Sequence, residues 1–280
     1  MSVQTTGNGQ IQPRREEPQT ITLLKASAKA IAQALPKHVP ADRFARIALT
    51  ALRANADLQR TDPGSFLACL LQSAQLGLEP NTPLQHCFLI PRRKGDGMEC
   101  TLQIGYQGMI DLARRSGRVK SITAHVVYAA DRFSYTLGDD ERIEHVPSMD
   151  GERGEVRYAY AIATLDDGSK IRRVVPRWEI EKARSLGARN GPWGAHFDEM
   201  AKKTAIRRLY KMLPKSAEMA AASQVDEADE RGISTARAVS AEVRELAEEV
   251  AIALPAPVAF DDQTGEVIET NAAPAEKASD

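Results

Sequence analysis

The chain has 280 residues, 42% hydrophobic and 27% charged, which suits a folded core of one large domain or two small ones and excludes a wholly disordered protein. It has no basic-then-apolar leader, no apolar run near the roughly 18 residues of a membrane span, and three cysteines without a CxxC pair, so a soluble protein of a reducing, cytoplasmic compartment is expected. The formal net charge of −1 hides a segregation: residues 216–280 hold 15 Asp and Glu against 4 Lys and Arg, leaving 33 cations against 23 acids on residues 1–215. A basic body with an acidic end points to nucleic acid or another anionic surface.

Residues 1–20, rich in Gln, Thr, Gly, Pro and Arg without a period, are expected to be disordered. Helices are predicted over 21–35, 41–54 and 63–78, the third with Asp62 as N-cap, Pro63 at its first position and Gly77 near its end. Within it Cys69 reads as a small buried hydrophobe. Apolar runs at 85–91 and 98–104 flank Arg92-Arg93-Lys94-Gly95-Asp96-Gly97, which predicts a β-hairpin with a basic loop. Cys87 and Cys100 lie on its strands in an open register. Gly105-Tyr106-Gln107-Gly108 then turns into a helix that runs to Ser116 and closes at Gly117.

Alternation predicts strands at 119–128 and 157–165, with Asp166-Asp167-Gly168 turning into a third at 170–175. A short helix at 176–186 precedes a basic helix that follows Trp193. Between Pro192 and Gly194, Trp193 reads as a staple of that helix to the core, ahead of a role in base stacking. The fold class is therefore α+β: a small antiparallel sheet with a β-hairpin, flanked by helices, in a single core domain over 21–215. Residues 216–280 read as an acidic, mostly disordered tail with a short helix at 234–254, and deletion after about Ser216 is expected to leave activity largely intact or to improve binding to an anionic partner, with which the acids compete.

The basic helix carries the sharpest pattern. Phe197, Met200, Ala201, Ala205, Leu209 and Met212 gather on one side, and Lys203, Arg207 and Lys211 line up at i, i+4 and i+8 on the other. Like charges at that spacing repel by a few tenths of a kcal/mol per pair, a cost that an anionic partner removes. A four-residue step rises about 6 Å, near twice the roughly 3.4 Å between phosphates of a B-form strand. A solvated face is the bland account of such a row. Lys202 and Arg208 near the edges of the apolar side, with Tyr210 beside the row, argue for a polyanion site.

Absences bound the chemistry. No GxxxxGK[ST] occurs, which argues against a motor or an ATP-driven recombinase. The Gly105–Gly108 turn is too short for a dinucleotide fingerprint. It is either a bland turn or one whose N–H groups face an anion, with Tyr106 stacked on a base. His196, Asp198 and Glu199 do not share a helix face, and His86, His125 and His145 lack ligand spacing, which argues against a metal nuclease. Arg92, Arg93, Lys94, Arg114, Arg115, Arg118 and Lys120 form a second basic segment. Facing the basic helix, it would make a groove.

Gln75-Leu76-Gly77-Leu78-Glu79-Pro80, the stretch from Ile104 through Gly105-Tyr106-Gln107-Gly108 to Ser116-Gly117, and Asn190-Gly191-Pro192-Trp193 with Glu199-Met200-Ala201-Lys202-Lys203-Thr204-Ala205-Ile206-Arg207-Arg208-Leu209 resemble the RecT family of phage and prophage recombinases. The resemblance covers about residues 25–215. It implies an ATP-independent single-strand annealing protein that binds single-stranded DNA, oligomerises on it as a ring or helical filament, and pairs it with a complementary strand in homologous recombination. Strand exchange and invasion follow from the same activity. The implied partners are single-stranded and annealed duplex DNA, further copies of the chain, a 5′ to 3′ exonuclease and the host single-strand binding protein, in a bacterial cytoplasm and away from membranes. No cofactor is expected; Mg2+ modulates DNA binding at most. The DNA contacts are expected from Lys203, Arg207 and Lys211 with Lys202 and Arg208, and from Arg92, Arg93, Arg114, Arg115, Tyr106 and Gln107, with no catalytic residue and no metal ligand. The rival reading is a structural or adaptor protein that binds nucleic acid without annealing it.

Overall fold

The computed structural model describes residues 19–186, 193–238, 259–260 and 267–268. An N-terminal helical layer comprises α1 (Gln19–Ala26), α2 (Ala28–Ala34), α3 (Ala41–Ala54), α4 (Ala56–Gln59) and α5 (Pro63–Gln75). The helix predicted over 21–35 is divided at Ser27, whose hydroxyl donates back to the Leu23 carbonyl at 2.7 Å. Helix α5 starts at Asp62, whose carboxylate accepts the Ser65 N–H at 2.6 Å, with Pro63 in the first turn. It is buried from Ser65 to Ala74 and so serves as the core's central rod. It ends before Leu78 because Gly77 adopts a left-handed φ of +63°.

Strands β1 (Cys87–Lys94) and β2 (Gly97–Ile104) form the predicted hairpin. Its turn is only Gly95-Asp96, with Gly95 at φ +57°, so Arg92, Arg93 and Lys94 are strand residues rather than a basic loop. Register sets Cys87 opposite Ile104 and Cys100 opposite Pro91; all three cysteines are free and buried. Burial pushes the Cys87 and Cys100 thiols up, which leaves them inert.

Helix α6 (Tyr106–Arg115) follows at once. A Cβ on Gly105 would stand 2.1 Å from the Gln85 carbonyl oxygen, and one on Gly108 2.2 Å from that of His86. Both glycines therefore permit backbone to pack on backbone. The Gly105 N–H itself donates to His86 O at 2.9 Å, which favours the bland reading of this turn.

The main sheet is antiparallel in the order β3 (Val119–Tyr128), β6 (Val156–Leu165), β7 (Lys170–Pro176). A second hairpin, β4 (Arg132–Thr136) with β5 (Arg142–Val146), was not predicted. On one face of β6 the small residues Ala159, Ala161 and Ala163 admit helix α8 (Phe197–Tyr210); on the other, Tyr158 and Tyr160 stack with Phe133 of the hairpin at 5.3 and 5.8 Å. Helix α7 (Arg177–Ser185) lies beside β7.

The chain beyond Ser216 departs from the expected disordered tail. Helix α9 (Ala217–Glu230) buries Met219, Ala222 and Val225, and α10 (Thr235–Ala238) begins at a buried Thr235 whose hydroxyl accepts the Leu102 N–H at 2.7 Å. The apolar stripe of α9 is mostly alanine, too weak a signal to stand out against its acids. Strands β8 (Ala259–Phe260) and β9 (Val267–Ile268) pair with each other. Of the predicted disordered segment 1–20, Gln19 and Thr20 open α1 and the remainder lies outside the described residues, as does most of the predicted helix 234–254. Among the described residues no helix is long and apolar enough to cross a membrane.

Candidate nucleic-acid interface

Helix α8 is anchored at its start by Trp193, 7% exposed, whose ring lies 5.8 Å from that of Phe197. Asp198 and Glu199 in the first turn and Arg207 and Arg208 in the last both favour the helix dipole. The row Lys203, Arg207, Lys211 does face anions, as its spacing requires, but they belong to α9. Arg207 pairs with Asp226 at 2.7 Å and Glu230 at 3.4 Å, and Lys211 with Glu227 at 2.8 Å. Burial, then Arg207, lowers the pKa of half-buried Lys203 while Asp226 and Asp229 oppose the shift. Arg92 reaches into the same cluster from β1, 2.6 Å from Asp229, which also accepts from Gln103 at 2.8 Å.

The other expected contacts divide. Lys202 binds Glu199 at 2.8 Å and the Tyr106 hydroxyl donates to the same carboxylate at 3.3 Å. Arg208 sits 2.8 Å from Glu179, and Arg115 is held by Asp111 at 2.8 Å and the Leu76 carbonyl at 2.7 Å. Arg93, Arg114 and Gln107 are exposed, and neither arginine forms an ion pair with a described residue. The outward wall expected from the α8 row is thus occupied from within the chain.

Open positive charge collects elsewhere. Arg114 ends α6, Arg118 and Lys120 lead into β3, and Lys170 begins β7. The sheet draws them to one end: the Asp166 N–H donates to the Arg118 carbonyl at 3.1 Å, Ser121 pairs with Thr164, and Thr164 pairs with Lys170. All four cations are exposed and none is ion-paired among the described residues. Asp166 and Asp167 share that end, and Asp167 is held low first by hydrogen bonding with Ser169 and lastly by Lys120. Lys170 carries no local sequence signal; only strand pairing places it.

A second constellation has no sequence signature. Asp131, whose side chain is fully inaccessible, accepts from Arg153 at 3.0 and 2.6 Å, from the Tyr128 and Ser148 N–H groups at 2.8 and 2.9 Å, and lies 3.1 Å from His145 Nε2. Burial alone would raise its carboxyl; these donors outweigh it and hold the group well below the usual carboxylate range. His145 Nδ1 is 3.2 Å from the Tyr160 hydroxyl, so both ring nitrogens are engaged. Arg153 lies 4.2 Å over the Tyr128 ring, and the Tyr128 hydroxyl, which donates to Asp198, has its pKa pushed up to about 12 by burial and by that carboxylate. His125 and His145 flank an adjoining cavity of about 430 Å³. Among the described residues no group of three His, Cys, Asp or Glu is set to hold a metal.

The RecT family model matches residues 42–241, from α3 to beyond α10. The chain is 46% identical over 203 residues to Protein RecT of Escherichia coli (strain K12), a match covering 70% of this chain and 75% of that protein. It is 29% identical over 174 residues to the uncharacterized protein YqaK of Bacillus subtilis (strain 168), over 60% of this chain and 58% of that one. Because the matched span takes in the hairpin, the sheet, the alanine face that seats α8 and the acidic helix that neutralises it, the chain belongs to the RecT family.

Proposed function

We propose that this protein is an ATP-independent single-strand annealing recombinase, which coats single-stranded DNA as an oligomer and pairs it with a complementary strand. The observation that carries the reading is the set of open cations Arg114, Arg118, Lys120 and Lys170 at one end of the sheet, whereas Arg207 and Lys211 of the α8 row are countered from within the chain. Phosphate contacts give affinity without reading sequence and leave base edges free for a second strand to test. Base pairing and stacking in the product drive the reaction, so nucleotide hydrolysis is not needed. A 5′ to 3′ exonuclease that exposes the strand and the host single-strand binding protein are the fitting partners in a bacterial cytoplasm, with Mg2+ a modulator of DNA binding only.

Two measurements test this. Complementary oligonucleotides mixed with the protein at moderate salt are expected to form duplex faster than without it; an unchanged rate would leave binding without annealing. Replacing Lys120 and Lys170 together by Ala is expected to keep the fold and to lower the slope of log affinity against log salt by about 0.7 for each phosphate of a single strand that is no longer neutralised. An unchanged slope removes this end of the sheet from the interface.

A further inference from the structure

We infer that Trp178 is a base-stacking residue for single-stranded DNA, with Lys182 one turn along α7 on a neighbouring phosphate. The inference rests on the annealing reading and adds a contact that the basic residues do not supply. Among the aromatic residues of 19–186 and 193–238, Trp178 is the one Phe, Tyr or Trp that stands exposed, at 67%; the others there are buried or half-buried.

An exposed indole on a fixed helix offers a flat apolar face that a partner can meet at little cost in conformational entropy. Helix α7 is fixed. Ile180, on the opposite side from Trp178, is fully buried, and the Arg177 guanidinium donates to the Val156 carbonyl and to Glu181, both at 2.8 Å, while lying 4.9 Å over the Phe197 ring.

Local charge selects the class of partner. Glu179 is taken by Arg173 and Arg208, and Glu181 by Arg177 and Arg184, with exposed Glu155 a longer contact of Arg177. Lys182 is exposed and forms no ion pair with a described residue. Five cations therefore surround three acids on this helix and its attachments, an excess that favours a polyanion. A contact between copies of the chain would want Trp178 at the centre of an apolar patch. Its neighbours one turn along are instead Glu181 and Lys182, and the next exposed apolar residue is Leu186, two turns away. An isolated aromatic amid positive charge is the arrangement that stacks any base, since every base offers a flat face. Sequence tolerance is what annealing requires.

The test uses the full chain, a dT oligonucleotide and the same oligonucleotide with abasic sites. Trp178→Ala is expected to weaken dT binding by about five- to 150-fold, Trp178→Phe to restore most of it, and abasic sites to weaken the wild type but not Trp178→Ala. In the wild type, iodide quenches chiefly Trp178, because Trp193 is only 7% exposed, and dT is expected to protect it. Equal dT binding by wild type and Trp178→Ala, or no iodide protection by bound dT, would overturn the inference while leaving the annealing reading intact. Protection that appears on self-assembly without DNA would assign Trp178 to a contact between copies and overturn it as well. A wild-type chain that leaves dT unbound would sink the annealing reading itself, and this contact with it.

Discussion

Arg207 stands where helical spacing puts it, between Lys203 and Lys211 on α8, yet its guanidinium binds Asp226, whose side chain is 6% exposed. Periodicity reports which residues share a face; it does not report what lies opposite. That is why the α8 row was legible as an anion-seeking surface while the identity of the anion was not. Arg207→Ala leaves a buried carboxylate uncompensated, and a loss of about 2–4 kcal/mol is expected, discounted for the partial exposure of the arginine. Thermal denaturation should show the melting temperature falling by about 5–15 °C. Burial already raises the Asp226 carboxyl against the pull of Arg207, so a matched apolar pair at both positions is expected to cost much less.

Asp131 makes the complementary case. Its folded carboxyl lies below the ordinary value, so it contributes stability that is present above roughly pH 4 and is lost as pH falls below that toward the folded value. Asp131→Asn is expected to be less stable at neutral pH and to lose less on acidification, which urea denaturation between about pH 3 and 6 measures. No spacing rule joins Asp131, His145 and Arg153. They meet because an unpredicted hairpin folds over Tyr160.

At the scale of elements, α3 and β3 fall where the sequence places them, at 41–54 and 119–128, because each carries a strong period bounded by turn residues. The β4–β5 hairpin escaped because its strands, RFSYT and RIEHV, are only five residues long and mostly polar, too short a window for a period to show. Helix α9 escaped because acidity masked a stripe of Met219, Ala222 and Val225. The consequence reverses the expectation for truncation. A chain ending at Ser216 loses the cover of β2 and the anions of α8 and is expected to aggregate or to lack a cooperative melt. One ending at Ala238 keeps both and is expected to melt as the full chain does. Since residues 239–280 hold 10 acids against 2 cations, the shorter of these deletions is also expected to tighten binding to single-stranded DNA, by removing a competitor for the open cations.

For the molecule as a whole, the division into a basic body and an acidic end holds in sequence and dissolves in space. Acids of α9 sit on cations of α8 and β1, which leaves open charge at the end of the sheet and along α7. Net charge by segment therefore points to an anionic partner, while which cations are already paired within the chain is read only from the fold. The GYQG motif teaches the same lesson: its glycines serve a backbone crossing at Gln85 and His86, which no one-dimensional pattern announces.

The Thr235 hydroxyl, bound to the Leu102 N–H and 3.8 Å from the Cys69 thiol, joins chain positions 133 and 166 residues apart. On the ribosome, at about 5–20 residues per second, that separation amounts to roughly 8–30 s during which α5 and β2 exist without their final lid. Newly made chains thus pass through a protease-sensitive stage that ends only after Thr235 has emerged. Stalled nascent chains cut short before α10 are expected to be digested rapidly, and those extended well past it to resist.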